Sequence, residues 1–70
     1  MGPVIVVHRP SRGGGRRVTV GPATLGLART DADLIEFLRR AGLENAEDIV
    51  LSDSPHIVWR GGRAHEYDAG

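Results

Sequence analysis

Thr30-Asp31-Ala32-Asp33-Leu34-Ile35-Glu36-Phe37-Leu38-Arg39-Arg40-Ala41-Gly42-Leu43 constrains the rest of the chain, because its helical character is marked at both ends. Thr30 supplies an N-cap hydroxyl, and Asp31 and Asp33 place carboxylates at the positive end of the helix dipole. Leu34, Ile35, Phe37, Leu38 and Ala41 recur at helical spacing as one apolar stripe, and Glu36 precedes Arg40 in the orientation that favours an ion pair. Gly42 predicts a left-handed cap, with Leu43 folding back on the last turn and Arg39 and Arg40 at the negative end of the dipole. The spacing therefore predicts one helix with a single buried face.

Upstream of it the periodicity changes. Val4-Ile5-Val6-Val7, bounded by Pro3 and Pro10, predicts a strand that is central or buried on both faces. Residues 11–15 carry three consecutive glycines and predict a turn. Residues 16–20 then alternate, with Val18 and Val20 inward and Arg17 and Thr19 outward, which completes a hairpin. Gly21-Pro22 interrupts the ladder, and residues 24–28 read either as a short third strand or as an extended approach to the helix. Downstream, residues 44–48 form an acidic connection, and Ile49-Val50-Leu51 predicts a short buried strand. Ser52-Asp53-Ser54-Pro55 is turn chemistry, and Gly61-Gly62 between residues 56–60 and 63–67 predicts a second hairpin. In that hairpin Arg60 faces Arg63, Val58 faces His65 and His56 faces Tyr67.

These segments predict an α+β domain over residues 1–70, with a single helix packed on a mainly antiparallel sheet. The strand-strand-helix-strand-strand order resembles a ubiquitin-type β-grasp in outline, without the final strand or terminal Gly-Gly that conjugation or sulfur carriage requires. A single helix disfavours helix-turn-helix, winged-helix, homeodomain and ribbon-helix-helix readers, which need at least one more. Arg16-Arg17-Val18-Thr19-Val20, Leu25-Gly26-Leu27-Ala28, Asp33-Leu34-Ile35-Glu36-Phe37-Leu38 and residues 58–67 together resemble small actinobacterial proteins of the Streptomyces kind, some associated with integrative elements. That resemblance implies no activity and assigns no site residues.

Composition narrows the function. Seventy residues hold no cysteine, which removes disulfides, the usual zinc-finger ligand sets and a thiol nucleophile. All nine basic residues are arginine, as expected of a GC-rich bacterium. No stretch approaches the ~20 apolar residues of a membrane span, so a cytoplasmic protein with no membrane partner is expected. Net charge is +5 over residues 1–30, −5 over residues 31–55 and zero over the remainder. This polarity either steers a charged partner or draws the two halves together in the fold.

No catalytic constellation stands out. His56 and His65 share a face of the expected hairpin, but a metal site needs further ligands, and none is expected. Ser52 or Ser54 with His56 and Asp53 are too close in sequence to converge as nucleophile, base and orienting acid. Arg12-Gly13-Gly14-Gly15-Arg16 lacks the Lys-Ser/Thr ending of a nucleotide loop. No enzyme activity and no cofactor are expected. The candidate binding residues are Arg12, Arg16, Arg17, Arg60 and Arg63 around two glycine turns, with Trp59 beside them. Arginine forks there suit phosphate or carboxylate, and an aromatic suits a base or a protein interface. The expected function is a small protein-binding or regulatory module, self-associating as a homodimer or binding another protein. The alternative is a nucleic-acid-binding accessory protein that uses the arginine-flanked turns.

Overall fold

The computed structural model describes residues 4–68. The elements run β1 (Ile5–Pro10), β2 (Arg16–Val20), β3 (Ala23–Ala28), α1 (Asp31–Arg40), α2 (Ala46–Leu51) and β4 (Ile57–Trp59). Four strands form one mixed sheet in the order β3-β2-β1-β4, with β1 and β2 antiparallel, β2 and β3 antiparallel, and β1 and β4 parallel. The fold is α+β, with both helices forming the crossover that lets β4 run alongside β1.

The helix α1 forms where its caps predict. Thr30 Oγ1 accepts from the Asp33 amide at 3.2 Å, and the Asp33 carboxylate accepts from the Arg29 amide at 3.0 Å. At the other end Gly42 adopts φ 99°, and the Leu43 amide donates to the Leu38 carbonyl at 3.0 Å. Leu34 and Leu38 are buried against Ile5, Val7 and Val18, with Ile35 and Phe37 packed at the margin. Arg40 Nε donates to Glu36 at 3.2 Å. Of the two readings of residues 24–28, the structure contains the strand.

Two expectations are corrected. The helix is not single, because Ile49-Val50-Leu51 belongs to α2 rather than to a strand. Ala46, Ile49 and Val50 are the buried positions there, three and four residues apart, and that helical period lets them pack under α1. Nor do residues 56–60 and 63–67 form a hairpin. Gly61 and Gly62 take the positive φ of the expected turn, 64° and 71°, but β4 pairs in parallel with β1, and residues 63–68 adopt no strand. Their carbonyls turn inward to a buried side chain, described below. The facing pairs expected of that hairpin are therefore absent, and the strand-strand-helix-strand-strand order becomes three strands, two helices and one strand. Of the two readings of β1, the structure contains the central strand, paired on both sides, rather than one buried on both faces. Ile5 and Val7 enter the core, Val6 is half-buried, and Val4 is exposed.

Candidate functional site

Alternation along the strands separates two faces. Ile5, Val7, Val18 and Ile57 point to the helices and close the core. The opposite face is covered by no helix. Register aligns Thr24, Thr19, Val6 and Val58 in one row across it. The adjacent row contains Leu27 opposite Arg17, then His8 and Arg60 where β1 bulges between Val7 and Pro10. Of these side chains Leu27, Arg17, His8, Arg60 and Val58 line a shallow groove of about 830 Å³, together with Arg9, Pro10, Ser11 and Gly61.

The groove is cationic, and among the described residues no carboxylate lines it. Among the described residues, Arg9, Arg17 and Arg60 form no salt bridge; those present use Arg39, Arg40 and His65. His8 reports the local field. Its Nε2 lies 2.8 Å from Thr19 Oγ1, and its pKa is held below the ordinary value by burial, then by the charges of Arg17 and Arg60. Leu27 and Val58, each 39% exposed, are apolar patches between the cations.

The structure brings the two glycine turns together at one end of the sheet. A Cβ built on Gly61 would lie 3.3 Å from the Arg9 side chain, and one on Gly62 would lie 3.8 Å from Pro10. Arg12 and Arg63 are exposed at these turns. Arg17 and Arg60 line the groove. Arg16 does not reach the surface; it is fully buried. Its Nε donates to the His8 carbonyl at 2.7 Å, Nη1 to the carbonyls of Arg63 and Glu66 at 3.1 and 2.9 Å, and Nη2 to those of Arg60 and Gly61, both at 2.6 Å. The Trp59 ring lies beneath the guanidinium, 5.4 Å from its carbon. Arg16 is therefore a structural cation held by carbonyl dipoles and a π face, and burial lowers its pKa. Trp59 is half-buried on the helix-facing side of β4, edge-on to Tyr67 at 6.0 Å, and its ring is engaged by Arg16 and Tyr67 rather than standing free on the open sheet face.

A second polar cluster lies on the helix side. Both carboxylate oxygens of Asp31 lie 2.9 Å from His65 Nδ1, the Tyr67 hydroxyl donates to Asp31 at 2.6 Å, and His65 Nε2 meets Asp53. Bonds to Asp53 and then Asp31 raise the His65 pKa, while burial, then the bond to Asp31, raises that of Tyr67. His65 thus bridges α1 to the turn before β4. Ser52 Oγ donates to the Asp48 carbonyl, Ser54 Oγ accepts from the His56 amide, and Asp53 pairs with His65 rather than His56, so the Ser-His56-Asp53 arrangement is not assembled. His56 is exposed and distant in role from His65. Among the described residues, no group of three His, Cys, Asp or Glu side chains could hold a metal ion, and no helix is long and apolar enough to cross a membrane.

Sequence reasoning missed His8, Leu27 and Val58 as part of the surface. The period-two alternation of β1 carried the signal, since Ile5 and Val7 inward require Val6 and His8 outward beside Arg17 and Thr19. The fold and site together define a small α+β protein with an uncovered, arginine-lined sheet face. No family model, curated protein or solved structure matches the chain.

Proposed function

We propose that residues 1–70 act as one small non-catalytic binding module, working in the cytoplasm, whose uncovered sheet face takes the phosphodiester backbone of a nucleic acid. The observation that carries this reading is the concentration of Arg9, Arg17 and Arg60 around His8 in a groove that no carboxylate of the described residues lines. Arginine forks donate paired hydrogen bonds to phosphate oxygens, and cations not neutralised within the fold retain their field for a ligand. Arg12 and Arg63, exposed at the adjoining turns, extend the same positive surface. The parallel β1–β4 pair reached through helices supports a β-grasp-like outline for this module.

A titration of the ¹⁵N-labelled protein with short oligonucleotides at low salt tests the reading. Shifts should concentrate at His8, Arg9, Arg17, Val58 and Arg60 and fade as salt rises, and replacing the three groove arginines with serine should abolish them while the folded spectrum is retained. Shifts that survive the triple replacement would sink the proposal. A protein partner, or a second copy, is the other reading. Val58 of β4 and Val4, just before β1, are exposed, and β4 is an edge strand of three residues. A solution mass of two chains at micromolar concentration would favour it.

A further inference from the structure

The groove is not uniformly charged, and its apolar part bears on the form of the nucleic acid. Val6 and Val58 are paired across the β1–β4 register, and Leu27 stands opposite Arg17 on β3. Charged and apolar side chains therefore alternate over one open face. A duplex buries its bases and offers chiefly phosphate and sugar to a flat surface; reading its bases requires an element that enters a groove. The helices cannot serve from this face, because both pack on the other side of the sheet, and their exposed acids Glu47 and Asp48 repel phosphate. An unpaired strand differs in presenting base faces that cover apolar side chains and stack on guanidinium planes. With Tyr67 buried and Trp59 half-buried on the helix-facing side of β4, stacking on the open face falls to Arg17 and Arg60.

We propose that the uncovered sheet face selects single-stranded nucleic acid over duplex, with phosphates on Arg9, Arg17 and Arg60 and unpaired bases over Val6, Val58 and Leu27. This rests on the nucleic-acid reading above. Fluorescence anisotropy with a single strand of about 12 nucleotides and the matching duplex, at equal ionic strength, distinguishes the two levels. The single strand should bind at least about tenfold more tightly, and Val58→Ser should weaken it several-fold while leaving duplex binding unchanged. Circular dichroism melting of V58S, which alters an exposed side chain, verifies that its fold is retained. A duplex bound as tightly as the strand, or an equal loss for both ligands in V58S, overturns the selectivity and leaves the parent reading intact. If neither oligonucleotide binds, or only vesicles containing phosphatidylglycerol do, both readings fall.

Discussion

Arg16 shows how one residue can organise a segment that has no ladder of its own. Its five N–H groups meet six carbonyls, four of them from residues 60–66, and among the described residues no carboxylate pairs with it. Lysine has three donors and no fork, so Arg16→Lys would leave buried carbonyls unpaired at about 1–3 kcal/mol each. We expect Arg16→Lys to lower stability in urea by at least about 3 kcal/mol and Arg16→Met to prevent folding. A midpoint within experimental error of the parent would refute the structural role. His65 is the second such residue, held at φ 68° between Asp31 and Asp53. Its folded pKa lies above the ordinary 6.5, so protonation is coupled to folding. The stabilisation is fully present below about pH 6.5 and is lost as pH rises through the folded pKa. Asn tolerates the same backbone without carrying the charge. The melting-temperature gap between the parent and His65→Asn should therefore shrink steadily on the alkaline side, and a gap independent of pH would show that the ion pairs contribute nothing.

At the scale of elements, β3 and α1 meet where a side chain is missing. Gly26 has φ 150°, and a Cβ there would lie 2.8 Å from the Phe37 ring, at the irregularity where β2–β3 pairing shifts register after Val18. Gly26→Ala must displace Phe37 or distort the strand, and overpacking of this kind costs about 1–3 kcal/mol. The matching shift in denaturation midpoint should be absent for Gly13→Ala, whose added methyl meets nothing within 4 Å. The two helices divide the work unequally. The longer, α1, has caps at both ends, whereas α2 has no side-chain cap bond and depends on burial of Ala46, Ile49 and Val50.

Across the whole molecule, the charge asymmetry of the chain becomes a spatial one only in part. Arg9 and Arg17, from the basic first 30 residues, gather on the open sheet face with Arg60 from the neutral C-terminal segment, while Arg16, also from the basic segment, disappears into the interior. A zero net charge therefore does not preclude a locally positive surface. If three arginines each neutralise one phosphate of a single strand, log affinity should fall with log salt at a slope of about −2. Binding would then drop roughly twentyfold between about 50 and 200 mM salt. A slope near zero would mean that the apolar patches alone hold the ligand. Arg17→Ser should flatten it by about 0.7, which isothermal titration at several salt concentrations measures.

The sequence by itself determined β1, the first hairpin and α1 with both its caps, because those signals are local: β-branched runs, turn glycines, and side chains that bond backbone within one turn. It also placed Arg17 and Thr19 on the outer face through alternation. What tertiary structure decided was the second half. Ile49-Val50-Leu51 suits a strand or a helix, and burial against α1 selected the helix. Residues 56–67 suit a hairpin, but β1 offered a free edge for β4, and the unpaired donors of buried Arg16 claimed the carbonyls that a hairpin would have used. Competition between partners distant in sequence leaves no trace in local pattern, which is why Arg16 looks like a ligand-binding residue in sequence and becomes a core residue in the fold.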